Sequence, residues 1–200
     1  MKGSIIIVSF FILGVLLGYM GLVPDSLIER DLSFYVLCAL MFFVGLSVGC
    51  DTKTLKSFSK LNPKYFLLPI ATIVGTLGGC VIISFLLPDR QLSDLLAVGS
   101  GFGYYSLSSI FITEYRGAEL GTIALLSNIM RELIALLLAP FLVRYFGKLS
   151  TISVGGATTM DTTLPVILKF SGKEFIVISV FHGFILDLSV PFLVTFFCSF

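Results

Sequence analysis

Three long apolar runs dominate the first 90 residues of the chain and limit what it can fold into. They span residues 5–23, 33–49 and 65–87, and each approaches the ~20 residues that a helix needs to cross a bilayer core. The rest of the sequence does not offset them, because charged residues make up only 12% of the chain and hydrophobic residues 56%. A soluble domain has about 25% charged residues. The sequence therefore predicts an all-α integral membrane protein with several spans.

The charges between these runs are sorted by sign. The first loop, residues 24–31, has three acidic residues and one arginine, whereas the second loop, residues 50–64, has four lysines. Because lysine-rich loops stay in the cytoplasm, this asymmetry places the second loop and the N-terminus on the cytoplasmic side. The first apolar run is long enough to span, and no small-residue cleavage site follows it. We therefore interpret it as a span rather than a signal peptide.

The second half of the chain contains two apolar segments that glycine and polar residues interrupt. Residues 94–113 include the run GSGFGYYSLSS, and residues 151–169 include GGATTMDTTLP. Both are predicted to be broken helices or re-entrant loops, and we favour crossing in both cases. The expected fold then has about seven membrane segments. It comprises a three-span unit, residues 1–90, and a unit with the broken segments, residues 91–200, and its C-terminus lies outside.

These interruptions supply the polar groups from which a binding site can be built. Irregular backbone at membrane depth is tolerated only where protein buries it or water reaches it, and paired broken segments are typical of transporter binding sites. A pair of glycine-rich interfacial loops is the alternative interpretation. The selected side chains are Tyr104, Ser106 and Ser108 in the first segment, and Thr159, Asp161 and Thr162 in the second.

Asp161 is the principal candidate, because an ionisable group inside the membrane is costly and marks function by default. A carboxylate among hydroxyl groups suits a cation or a proton. Two other roles are open as well. Asp161 is also suited to be the N-cap of a helix that continues through Pro165, or the ion-pair partner of Arg131.

A second set of polar residues lies within long apolar helices. Asn128 precedes Arg131 by three residues and Glu132 by four, so it shares a helix face with both, whereas Arg131 and Glu132 diverge from each other. A transport role and a structural intramembrane ion pair are both open for this charged pair. His182 is either a packing residue with one satisfied hydrogen bond or a proton relay. Asp187 is expected off the His182 face, near a pore mouth.

Other classes of function find no support in the residues. The four cysteines are scattered and there is one histidine, so no metal site or cofactor is expected. No nucleophile motif and no paired catalytic motif is present, which argues against an enzyme. The net charge of +1 gives no indication of nucleic-acid binding.

Four segments of the second half together resemble one known family. In chain order they are SGFGYYSLSSIFITE, SNIMRELIALLLAPFLVR, GGATTMDTTLPVI and FHGFILDLSVPFL, and they are similar to the C-terminal region of the bacterial LysO-type lysine exporters. The resemblance implies an inner-membrane carrier that exports L-lysine and its toxic analogues in exchange for protons. It also implies a distant relation to the bile acid/arsenite transporters, whose sites lie where broken helices cross.

The same resemblance bears on site residues and partners. It maps the family's intramembrane aspartate onto Asp161, its Arg-Glu pair onto Arg131 and Glu132, and its histidine onto His182. Single-chain members carry a further N-terminal membrane unit, which implies a small partner of about three spans for this chain, a homodimer, or both. Two alternatives stay open: a non-transporting membrane-assembly subunit, and a carrier of another small cation or amino acid.

Overall fold

A computed structural model of the chain describes residues 61–200 continuously and, before them, only isolated positions between residues 12 and 58. The chain divides into two units, Met1–Leu55 and Lys56–Phe200. In the first unit the few described positions, such as Leu16 and Leu46, are helical and exposed. The predicted spans 5–23 and 33–49, and the loop charges used for orientation, lie largely outside the described residues.

Within residues 61–200 the structure is helical throughout and has no strand, which confirms the predicted fold class for this part of the chain. The seven α-helices of this region are α1 (Leu67–Ser84), α2 (Leu92–Gly99), α3 (Tyr105–Arg116), α4 (Ala118–Phe146), α5 (Ser150–Gly155), α6 (Leu164–Phe170) and α7 (Ile176–Cys198). Short 3₁₀ turns at Pro63–Phe66, Gly156–Met160 and Lys173–Phe175 supplement them.

Three of these helices are long and apolar enough to cross a membrane. They are α1 with its preceding 3₁₀ turn (Pro63–Ser84), α4 (Ala118–Phe146), and α7 with its preceding 3₁₀ turn (Lys173–Cys198). Large apolar side chains such as Val74, Ile82 and Leu137 are exposed on the first two. Such surfaces suit lipid rather than water. The predicted third span, residues 65–87, corresponds to α1.

The first broken segment is a re-entrant hairpin. Hairpin 1, residues 92–116, consists of α2, a break and α3. Arg116 at the end of α3 lies 3.6 Å from the Oδ1 atom of Asp94 in the first turn of α2. Arg116 also donates from Nε to the Cys198 carbonyl oxygen at 3.2 Å, so α7 finishes beside it. We call this side of the bundle the Arg116 end.

The second broken segment is also a hairpin, and it enters from the opposite side. Hairpin 2, residues 150–170, consists of α5, a 3₁₀ turn and α6. The hydroxyl groups of Thr151 and Ser171 lie 2.8 Å apart, and Ser171 donates to the Lys148 carbonyl oxygen at 2.9 Å. Both arms therefore meet where α4 ends and α7 begins, at what we call the Ser171 end.

The prediction that both segments cross is therefore wrong, whereas the predicted interruptions are observed. Each segment forms two short antiparallel arms, so neither arm has the full apolar length of the segment. With eight and six residues, α2 and α5 reach only about 12 Å and 9 Å at 1.5 Å per residue, too short for a core of ~30 Å. The described bundle thus has three helices long and apolar enough to span a membrane and two hairpins that approach from opposite ends.

Helix α7 is the most enclosed of the three long helices and packs against both hairpins. Leu186, Val190 and Val194 have no exposed surface. Gly183 lets the 3₁₀ turn of hairpin 2 approach closely, since a Cβ atom there would lie 2.8 Å from the Ala157 carbonyl oxygen. The packing therefore holds the hairpin tips against the middle of α7.

Candidate functional site

The two hairpins meet at their breaks. The Ala157 N–H donates to the Phe102 carbonyl oxygen at 2.8 Å, which joins the turn of hairpin 2 directly to the turn of hairpin 1. Gly156 has φ +66, and a Cβ atom there would overlap the Phe102 carbonyl oxygen. Only glycine combines this backbone angle with so close an approach. Gly156 therefore allows the backbones of the two turns to come into direct contact.

Asn128 of α4 holds the break of hairpin 1. Its Oδ1 atom accepts the Gly103 N–H at 2.8 Å, and its Nδ2 group donates to the carbonyl oxygens of Val98 at 3.2 Å and Ala124 at 2.9 Å. The side chain is almost fully buried. The bond to Gly103 satisfies an N–H that the interruption of the helix leaves free, and the bond to Val98 ties Asn128 to the end of α2.

Arg131, one turn further along α4, holds hairpin 2 in the same way. Nε donates to the Val154 carbonyl oxygen at 2.9 Å, Nη2 to the Ser153 carbonyl oxygen at 3.1 Å, and Nη1 to the Thr76 hydroxyl at 3.2 Å. The two carbonyl groups belong to the last turn of α5, where the helix dipole is negative. Over the described stretch no carboxylate lies within ion-pair distance of Arg131. The ion pair with Asp161 considered from the sequence is therefore not formed.

His182 connects α7 with hairpin 2 and α1. Its Nε2 atom lies 3.0 Å from the Thr72 hydroxyl, and its Nδ1 atom lies 3.3 Å from the Thr159 hydroxyl. The Thr159 hydroxyl also lies 2.9 Å from the Ser179 carbonyl oxygen. The ring has no exposed surface. Both ring nitrogens are thus engaged, which favours the packing role over the proton relay.

Asp161 follows the 3₁₀ turn of hairpin 2 and is exposed together with Thr162. Its Oδ1 atom accepts the N–H of Thr162. The predicted N-cap role is wrong, because α6 begins at Leu164 with Thr163 as its N-cap residue, and Pro165 is the second helical residue. The carboxylate is therefore free of the capping role and lies at the tip of the hairpin.

Asp187 of α7 adds a second carboxylate to this region. It lies one turn after Gly183, where a Cβ atom would lie 2.8 Å from the backbone nitrogen of Met160, the residue before Asp161. Asp161 and Tyr104 are therefore within the range of charge interactions with Asp187. Only 4% of Asp187 is exposed. No residue of the described region gives it a hydrogen bond, yet its oxygens are not among the fully enclosed unpaired atoms. The carboxylate therefore keeps a small exposed surface.

Comparison with known proteins decides the family. The family model described as "Lysine exporter LysO" matches residues 8–198. The chain belongs to the lysine exporter LysO family. This confirms the resemblance found in the sequence, and the family is one of transporters rather than enzymes.

Two relatives carry names within the LysO family. The lysine exporter LysO of Escherichia coli (strain K12) is 38% identical over 169 residues, which are 84% of this chain and 56% of the relative. A putative lysine exporter of Haemophilus influenzae is 35% identical over 195 residues, 97% of each chain. The chain thus spans little more than half of the first relative and nearly all of the second. No solved structure matches.

Not every residue selected for the LysO site is at the hairpin tips. Ser106 is exposed, and Ser108 is buried but bonds the Tyr104 carbonyl oxygen of its own helix at 2.8 Å. Glu132 is partly exposed on α4 and forms no ion pair with any residue of the described part. In the same part, no group of three or more potential metal ligands occurs.

The sequence did not predict that Asp187 lies near Asp161. The helix face of Asp187 differs from that of His182, and this difference predicts a position near a pore mouth instead. A carboxylate in the middle of an apolar span is itself a signal of function in a membrane protein. Only the packing of α7 against both hairpin tips, however, shows which other carboxylate it faces.

Proposed function

We propose that this chain exports L-lysine across the bacterial inner membrane in exchange for protons, and that Asp161 and Asp187 form the shared site for lysine and the proton. The supporting observation is that α7 packs against the turn of hairpin 2 at Gly183, one turn before Asp187, and so brings Asp187 to the hairpin tip that carries Asp161. Lysine has two ammonium groups, and the pair offers a carboxylate for each. Tyr104 lies within range of both charges and offers a ring to the cation or the aliphatic stem.

We propose that lysine and one proton compete for the two carboxylates, so that the pair holds the proton when lysine is absent. Lysine carries one net positive charge at neutral pH. Replacing one proton by one lysine therefore leaves the charge of the site unchanged, and the exchange is electroneutral.

The charge distribution supports an orientation. The Ser171 end carries most of the basic residues, namely Lys64, Arg144, Lys148, Lys169 and Lys173. By the positive-inside rule this end faces the cytoplasm. Hairpin 2 with Asp161 then enters from the cytoplasm, hairpin 1 enters from outside, and the C-terminus lies outside because neither hairpin crosses.

A partner subunit is part of the proposal. The match covers 56% of the E. coli relative, so that protein contains a further region with no counterpart in this alignment. A small membrane subunit of about three spans, or a second copy of this chain, would complete the carrier. Chemical cross-linking in native membranes followed by mass determination tests this, and a chain found only as a monomer contradicts it.

Counterflow in proteoliposomes tests the function. Vesicles loaded with unlabelled lysine are expected to accumulate labelled lysine, and Asp161→Asn is expected to abolish this uptake. Asp89→Asn, which changes an exposed carboxylate outside the hairpins, is the matched control and should transport normally. Uptake retained by Asp161→Asn contradicts the assigned site. No uptake by the wild type with its partner present supports the assembly-subunit alternative, and uptake of another amine alone supports a different cargo.

A further inference from the structure

A cavity of about 390 Å³ lies between α1, α2 and α4. Neither Asp161 nor Asp187 lines it. Its walls are mostly apolar, and its polar groups lie towards the two ends. The wall residues include Cys80, Ile83, Leu95, Val98 and Ile123. This is a narrow apolar space with a separate polar group available at each end.

A cation with unused donors lies at the inner end. Arg131 lines the cavity beside Thr76 and Asn128. A guanidinium group has five N–H donors, and three of those on Arg131 are used by Val154, Ser153 and Thr76. Two donors remain, and none of the described carboxylates neutralises the charge. A charge in an apolar environment is stabilised by an opposite charge that also accepts hydrogen bonds, which is what a carboxylate ligand provides.

An anion lies at the outer end. Asp94 lines the cavity at the Arg116 end. Its Oδ1 atom is buried and has no hydrogen-bond partner, although the Nη1 atom of Arg116 lies 3.6 Å away. The other cation at this mouth, Arg90, is paired with Glu119. The Asp94 side chain is 19% exposed, so an ammonium group can approach the carboxylate from its exposed side, whereas Oδ1 stays enclosed.

The separation of these two groups can be read along α2. The Thr76 hydroxyl bonds Arg131, and the Thr76 methyl lies beside the position that a Cβ of Gly99 would occupy, so the guanidinium is roughly level with Gly99. Asp94 is five residues earlier, about 7.5 Å along the helix axis. The carboxyl carbon and terminal nitrogen of an extended lysine are six bonds apart, about 7 Å with ordinary bond lengths. Lysine therefore matches this axial separation when it lies alongside α2, with each end turned sideways to its hydrogen-bond partner.

We propose that this cavity is a second amino-acid site, which binds lysine with its carboxylate at Arg131 and its side-chain ammonium at Asp94. The aliphatic stem lies along Leu95, Val98 and Ile123. The identity of the ligand rests on the proposed function, whereas the charge pattern defines the class: a linear carboxylate with a terminal ammonium group. The α-ammonium group has no assigned partner, so 6-aminohexanoate fits the site as lysine does.

Cys80 is a native reporter for this cavity. In the full-length chain, with Cys38, Cys50 and Cys198 replaced by alanine, the rate at which N-ethylmaleimide modifies Cys80 measures access to the cavity. Lysine at ten times its dissociation constant is expected to slow the reaction about tenfold by occupancy. We expect 6-aminohexanoate to protect similarly. Norleucine lacks the terminal ammonium and 1,5-diaminopentane lacks the carboxylate. Each should therefore need a concentration at least about tenfold higher than lysine to protect Cys80 equally.

Variants separate this site from the carboxylate pair at the hairpin tips. Asp94→Asn should weaken protection by lysine at least about tenfold, whereas Asp89→Asn should leave it unchanged. Ile123→Phe fills the cavity without altering a hydrogen bond and provides the same test if Asp94→Asn does not fold. Asp161→Asn should abolish counterflow and keep the protection of Cys80.

Several results would overturn the second site while leaving lysine export intact. These are a Cys80 thiol that reacts only after denaturation, equal protection by norleucine and lysine, and protection that survives both Asp94→Asn and Ile123→Phe. Loss of protection in Asp161→Asn would show that lysine acts on Cys80 from the hairpin tips instead. Protection in a wild-type chain that fails in counterflow would support the site and contradict the proposed transport.

Discussion

Asn128 and Arg131 lie one turn apart on α4, and each holds the interrupted backbone of a different hairpin. Asn128 accepts the N–H of Gly103 in hairpin 1, and Arg131 donates to the carbonyl oxygens that end α5 in hairpin 2. One face of one spanning helix therefore fixes both tips. The carboxylates proposed to bind lysine and the proton depend on this arrangement, although neither is bonded to α4.

The first prediction concerns the support of hairpin 1. Asn128→Ala removes three hydrogen bonds and leaves the buried Gly103 N–H unpaired, which should destabilise the protein by about 1–3 kcal/mol. Thermal unfolding followed by size-exclusion chromatography should show a melting temperature lower by several degrees. Ser106→Ala, which changes an exposed residue of the same hairpin, is the control. Equal melting temperatures for the two variants would contradict the assigned role of Asn128.

The second prediction concerns the geometry of the Arg131 guanidinium. Arg131→Lys keeps the charge but loses the planar fork that reaches Val154, Ser153 and Thr76 together. We expect a loss of stability of roughly 2 kcal/mol, since each hydrogen bond of a charged group contributes about 1.5–3 kcal/mol. Lysine exchange should fall in parallel. If Arg131 acted only through its charge, the lysine variant would transport at the wild-type rate, and that result would refute the positioning role.

The third prediction concerns the contact between the two turns. Gly156→Ala places a methyl group against the Phe102 carbonyl oxygen at a positive φ, so the tips must separate. A strained backbone of this kind costs about 1–3 kcal/mol, and counterflow should drop sharply. Gly78→Ala on α1 is the matched control, because no atom lies within 4 Å of the added methyl group. That variant should be neutral or up to ~1 kcal/mol more stable.

The fourth prediction separates the two roles considered for His182. Both ring nitrogens are engaged by threonine hydroxyl groups, so His182→Gln should lower the melting temperature while the pH dependence of lysine exchange keeps its shape. Thr72→Val, which removes the partner of Nε2, should lower stability similarly, and Thr72→Ser should not. A shifted or flattened pH profile in His182→Gln, with stability unchanged, would instead identify the imidazole as a proton carrier.

The fifth prediction follows from electroneutral exchange. An imposed membrane potential should not change the rate of lysine counterflow or of lysine movement driven by a pH gradient, because one lysine replaces one proton. The measurement uses proteoliposomes with a potassium gradient and valinomycin. A rate that follows the potential would require a different stoichiometry. Asp187→Asn removes one of the two carboxylates proposed to hold the proton, so the pH-driven movement of lysine should fall to the rate of vesicles without the protein.

Much of the site was predictable because it is encoded locally. Glycines and hydroxyl residues interrupt two apolar runs at Gly103 and Gly156, and the structure shows both interruptions there. The spacing of Asn128 and Arg131 predicted a shared face, which is confirmed by their parallel roles. The partners of these side chains were not predictable, since Asn128 bonds a residue 25 positions away and His182 one 110 positions away.

The sequence by itself determined the class of protein, the positions of the breaks and the family. Those properties follow from hydropathy, glycine placement and motifs, which neighbouring residues specify. Tertiary structure alone decided that the broken segments are hairpins and that Asp187 lies beside the hairpin tip that carries Asp161. The reason is physical: an apolar run of ~20 residues satisfies its backbone as one crossing helix, or as two antiparallel arms where distant side chains bond the turn between them. Only long-range contacts such as Asp94–Arg116 and Thr151–Ser171 distinguish the two.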